Sequence, residues 1–86
     1  MIPRIVDMKY VAEYRVWLRF DDGASGETDL RDELWGDVFE PLRNLEAFKS
    51  VHLNQELITI QWDNGADFAH EFLYERVKEG ATPQPL

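Results

Sequence analysis

Four acidic side chains, Asp21, Asp22, Glu27 and Asp29, lie within one short stretch and are the first residues in this chain with a pattern suggestive of chemistry. Calcium loops gather six or more oxygens at fixed spacing, with acids at alternate positions and a closing glutamate. That spacing is missing here. The four read instead as turn-forming residues whose carboxylates accept local backbone N–H groups. Asp63, Asn64 and Asp67 read the same way. His70-Glu71 begins like the helical zinc motif, which needs a second histidine four residues on so that both rings share a face. Tyr74 occupies that position, and the other histidine, His52, sits on a predicted strand pointing away from Val51 and Leu53. Ser25 and Ser50 have no base beside them in sequence. The five glycines are scattered, so no phosphate loop is expected, and the absence of cysteine excludes thiolate metal sites and disulfides. We therefore expect no catalytic residue, no metal site and no cofactor.

One constellation suggests recognition instead. Trp17 stands between Arg15 and Arg19 on the polar face of a predicted strand. Tryptophan and arginine dominate many binding interfaces, and either arginine is placed for a cation–π contact. Two alternatives stay open: a helix covers this face, or Trp17 packs against a cross-strand neighbour.

The elements that position these residues follow from periodicity. Val6, Met8 and Tyr10 alternate along Arg4 to Val11. Tyr14, Val16, Leu18 and Phe20 alternate with Arg15, Trp17 and Arg19. Ala12-Glu13 between them predicts a tight hairpin. Asp22-Gly23 starts the next turn, in which glycine takes positive φ without steric cost. A third strand runs from Gly26 to Leu30. Leu34, Trp35, Val38, Phe39 and Leu42 recur at helical spacing, but Pro41 must break the element. Asn44 is placed to cap a further turn at Leu45 to Lys49. Glu40 is left open as a cap, a partner of Arg43 or an exposed contact. Val51 and Leu53 start a fourth strand, and Ile58, Ile60 and Trp62 face inward on a fifth. After the Asn64-Gly65 turn, Asp67 or Ala69 opens a final helix. Phe68, Phe72, Leu73 and Val77 form its apolar side, Arg76 and Lys78 sit near its carbonyl end, and Gly80 stops it. Trp35, Trp62, Phe39 and Phe48 are assigned to the core.

This pattern predicts a single α+β domain over residues 1–80, with an antiparallel sheet of about five strands and two or three short helices. Residues 81–86 read as a flexible tail. The 86 residues carry 17 acidic against 9 basic side chains, a net charge of −8. Nucleic-acid affinity rests on Lys and Arg displacing counterions, so direct nucleic-acid binding is disfavoured. A basic protein partner is favoured. The charged amino terminus has no secretory or membrane-spanning pattern, so no membrane association and a cytoplasmic location are expected.

Several segments together resemble the small bacterial domain-of-unknown-function family 2442. They are Phe20-Asp21-Asp22-Gly23 with Asp29-Leu30, Gly36-Asp37-Val38-Phe39-Glu40-Pro41-Leu42, Phe48 with Val51, and Trp62-Asp63-Asn64-Gly65-Ala66-Asp67 with Leu73-Tyr74-Glu75. The resemblance implies an α+β fold with an antiparallel sheet and no established catalytic residues. It also implies an antitoxin-like role, because relatives look like partners of small toxin genes. Family members often carry proline where this chain has Asp63 and His70. The expectation is a non-enzymatic interaction module that binds another protein, with a basic toxin-like chain as the candidate, through a sheet face or edge. Homodimerisation through an edge is a further option. The alternative is a small-ligand sensing domain, recognisable by a concave pocket with convergent polar groups.

Overall fold

A computed structural model describes residues 3–81. Three strands, β1 (Ile5–Ala12), β2 (Arg15–Phe20) and β3 (Ser25–Asp29), form an antiparallel sheet in the order β1-β2-β3. A second antiparallel pair joins β4 (His52–Asn54) to β5 (Thr59–Gln61). The expected five strands are thus divided between two sheets. A backbone hydrogen bond from Ile5 N–H to the Ile58 carbonyl, 3.5 Å, ties β1 to the β4–β5 turn. Two 3-10 turns, Arg31–Glu33 and Glu40–Arg43, precede the single-turn helix α1 (Leu45–Phe48). Helix α2 (His70–Ala81) closes the fold.

Alternation on β2 holds as expected. Val16, Leu18 and Phe20 are buried, and α2 packs over that face with Leu73 and Val77. The β1 pattern is corrected. Its register shifts between Ile5 and Asp7 and again between Tyr10 and Ala12. Each shift places an extra residue in β1, so Val6 and Val11 bulge outward, 42% and 40% exposed, while Ile5 takes the buried position. The hairpin loop is displaced by one residue from the expected Ala12-Glu13. It uses Glu13 and Tyr14, and Glu13 adopts φ of 50°.

The two glycine turns are built alike. Phe20 N–H donates to the Ala24 carbonyl at 2.8 Å, and Gly23 N–H donates to the Phe20 carbonyl at 3.0 Å. Trp62, Ala66 and Gly65 repeat both bonds at 2.9 Å. Gly23 and Gly65 have φ of 92° and 89°, values that L side chains rarely adopt. Asp22 Oδ1 accepts from Ala24 N–H at 2.9 Å, and Asn64 Oδ1 accepts from Ala66 N–H at 3.0 Å. Asp63 stands in a turn whose backbone bonds match those of the first.

Asn44 caps α1 as expected, its Oδ1 accepting from the N–H groups of Glu46 and Ala47. Trp62 and Phe48 are buried as expected, and the indole N–H of Trp62 donates to the Phe48 carbonyl at 2.9 Å. Two assignments fail. Trp35 is 67% exposed rather than in the core. Gly80 does not end α2, which continues to Ala81 because one glycine weakens a helix without breaking it. Of the expected tail, Ala81 therefore belongs to α2, and 82–86 lie outside the described residues.

Candidate functional site

The expected carboxylate group is spread over separate structural tasks. Asp21 and Asp22 sit at the β2–β3 turn, where Asp21 Oδ1 accepts from Arg4 N–H at 3.2 Å. Asp29, at the other end of β3, accepts from Arg31 N–H at 3.0 Å. Glu27 lies on the sheet surface, 3.7 Å from Arg15. The histidines are occupied separately. His52 Nδ1 lies 3.1 Å from the Ser50 carbonyl oxygen, and His70 Nδ1 lies 3.0 Å from that of Pro3.

Trp17 lies on the sheet face opposite α2, so α2 does not cover it. Its cross-strand neighbours are Lys9 and Glu27. The ring is half-buried, with Lys9 Nζ 5.6 Å from its centroid. Arg15 pairs with Glu27, and Arg19 pairs with Asp7 at 3.7 Å. This face therefore satisfies its own charges, in exposed pairs of the kind worth little in stability.

Trp35 is a different kind of surface. Leu34, at φ −91° and ψ 71°, makes an inverse γ-turn in which Trp35 N–H donates to the Glu33 carbonyl at 3.1 Å. Gly36 follows at φ 93°. The bend buries Leu34 and turns Trp35 outward. The chain on both sides of it is hydrogen-bonded to the rest of the fold. Arg43 Nε donates to the Leu34 carbonyl at 2.8 Å, and Glu40 N–H donates to the Gly36 carbonyl at 2.9 Å. Asn64 Nδ2 donates to the Val38 carbonyl at 2.9 Å, and Phe39 stacks on Phe68 with centroids 4.5 Å apart. Val38, three residues after Trp35, is 48% exposed. Asp32, Asp37 and Glu40 are exposed along the same segment, and no ion pair engages them among the described residues. Glu40 thus begins the 3-10 turn without pairing with Arg43.

Beside this bend lies an open cleft of about 630 Å³ lined by Glu13, Tyr14, Arg31, Asp32, Leu34, Arg43 and Leu45. Tyr14 donates its hydroxyl to the Arg43 carbonyl, and the Arg31 guanidinium lies 5.3 Å from the Tyr14 ring centroid. Arg31 also bonds Glu13 at 3.2 Å.

Two further groups were not anticipated. Arg76 donates Nε to Thr28 Oγ1 at 3.0 Å, Nη1 to Glu33 at 2.8 Å and Nη2 to the Asp29 carbonyl at 2.6 Å. One guanidinium thereby joins α2, β3 and the first 3-10 turn. Tyr74 donates its hydroxyl to Asp22 Oδ2 at 2.7 Å while its ring meets Phe20 edge-on. That bond holds the Asp22 carboxyl below the ordinary carboxylate value, with help from Ala24 N–H. The same bond, with desolvation second, raises the Tyr74 phenol. The sequence signalled Arg76 only as a charge near the end of the final helix, because its partners lie on β3 and the first 3-10 turn.

This architecture defines a small α+β domain of two antiparallel sheets closed by one helix. The chain belongs to the DUF2442 family, described as a protein of unknown function, whose model matches residues 5–79. Comparisons with curated proteins and with solved structures return no match. No helix among the described residues is long and apolar enough to cross a membrane.

Proposed function

We propose that this domain is a non-enzymatic interaction module that binds another protein, with Trp35 as its anchor. The observation that carries this reading is a tryptophan 67% exposed on a bend whose backbone is hydrogen-bonded on both sides. Large aromatic side chains contribute strongly at interfaces. Holding one in place before binding lowers the ordering cost of association. Trp17, with its own cation and paired neighbours, is the weaker candidate. The sheet edges also argue for a surface contact over strand addition: β1 is bulged twice, and the Asp29 carbonyl at the β3 end is taken by Arg76. An antitoxin-like role is the form of this reading that the family resemblance suggests, by analogy alone.

The test is a pull-down from native cells with the wild-type chain, Trp35→Ala and Trp17→Ala, checked by circular dichroism. We expect one protein to be captured by wild type and by Trp17→Ala but lost with Trp35→Ala, all three remaining folded. Equal capture by Trp35→Ala contradicts the reading. The open cleft favours a second reading, small-ligand sensing. A metabolite that raises the melting temperature of wild type, but not of Arg43→Ala, would support it.

A further inference from the structure

We infer that the Trp35 bend receives a basic segment of a partner protein, with an arginine or lysine laid on the exposed indole and Asp32, Asp37 and Glu40 facing its charge. This rests on the reading of Trp35 as a recognition anchor and adds the chemistry of what it recognises.

Indole faces attract cations, arginine most often. Four cations of this chain lie over other rings: Lys9 over Trp17, Arg31 over Tyr14, Arg76 over Phe72 and Lys78 over Tyr74. Among the described residues, none lies over Trp35, the most exposed large apolar side chain. The acids of this segment are likewise uncompensated. Asp7, Glu13, Glu27 and Glu33 each have an arginine partner, whereas Asp32, Asp37 and Glu40 have none among the described residues. An apolar ring among unpaired carboxylates complements a cation carried on an aliphatic stem. Val38, three residues on, adds apolar surface for that stem. The net charge of −8 steers a basic partner toward the molecule from a distance. A second copy fits poorly, because a two-fold contact would set Asp32, Asp37 and Glu40 against their own equivalents.

The probe is a fluorescein-labelled peptide alternating arginine with leucine, read by fluorescence anisotropy across a salt series. A control peptide carries glutamate for each arginine. The proteins are wild type, Trp35→Ala, the loop triple D32N/D37N/E40Q and a charge-matched triple E56Q/D67N/E75Q. All these positions are exposed, so the variants are expected to fold, and circular dichroism checks this. Trp35→Ala is expected to weaken the arginine peptide by about 30-fold, the scale of an interface hot spot. The loop triple is expected to weaken it by about tenfold with a shallower salt dependence. The charge-matched triple should weaken it by less than about threefold, as scattered surface charges do. Equal losses from the two triples, or full binding by Trp35→Ala, would overturn the inference. Light scattering that finds a dimer dissociated by Trp35→Ala would also overturn it, in favour of self-association. If a native partner depends on Trp35 while the loop triple leaves it bound, the basic-segment inference falls and the interaction reading stands.

Discussion

Trp62 and Trp35 show how little residue type alone decides. Trp62 is 1% exposed, surrounded by Phe48 and Phe68, with its N–H bonded to a buried carbonyl. Trp62→Ala should cost about 3–5 kcal/mol, a large share of the roughly 4–13 kcal/mol expected for a domain of this size. Trp35→Ala should change stability by no more than about 0.5 kcal/mol, as surface substitutions usually do. Chemical denaturation of both variants checks the pair. Asp22 and Tyr74 give a pH-dependent prediction from one shared bond. Asp22 titrates below its ordinary 3.8, so its contribution is full above that value and is lost as pH falls through the lowered one. Tyr74 titrates above its ordinary 10.0, so its contribution is full below that value and is lost as pH rises through the raised one. The stability difference between wild type and Tyr74→Phe should therefore be flat between these limits and shrink at both ends. A difference that keeps its size in acid would contradict the assigned bond.

At the scale of elements, the readable parts were those governed by local backbone chemistry. Gly23 and Gly65 follow an aromatic residue and two acid or amide residues, and both adopt the positive φ that this pattern requires. Asn44 caps the helix turn that follows it because its short side chain reaches the free N–H groups. The parts that were not readable depend on geometry that periodicity does not encode. Leu34, Trp35, Val38, Phe39 and Leu42 have helical spacing, yet Gly36 and Pro41 interrupt it: Leu34 to Phe39 form the bend between the two 3-10 turns, and only Leu42 lies within one. Leu34 and Leu42 turn inward, and Trp35 and Val38 turn outward. Val6 lost its inward position to a bulge, which single-strand alternation cannot reveal. Arg76 was legible only as a favourable charge near a helix end, since its partners lie more than forty residues away. It joins three elements, so Arg76→Ala should cost roughly 1.5–3 kcal/mol, the range for hydrogen bonds to charged groups. Arg76→Lys should recover little, because an ammonium cannot reproduce the planar fork. Recovery to wild-type stability by lysine would show that charge alone matters there.

For the whole molecule, charge and shape point the same way. The sheet face around Trp17 balances its own ion pairs, α2 covers the other face, and the bend from Asp32 to Glu40 presents a 67% exposed ring with Asp32, Asp37 and Glu40 outside any ion pair among the described residues. Among the residues that looked chemically capable, Asp21, Asp22, Asp29 and both histidines lie against backbone groups, and Glu27 pairs with Arg15. The exposed Trp35 bend is the surface on which the proposed recognition role rests. Its location was hidden in the sequence because Trp35 shares its spacing with core residues. The most direct test places a photo-crosslinking side chain at Val38, three residues from the intact Trp35, and another at Leu57, comparably exposed on the β4–β5 turn. Irradiation in native cells should give a discrete adduct with a second protein from position 38 and none from position 57. Adducts from position 57 alone, or equal adducts from both, would contradict the assignment of the Trp35 bend as the binding surface.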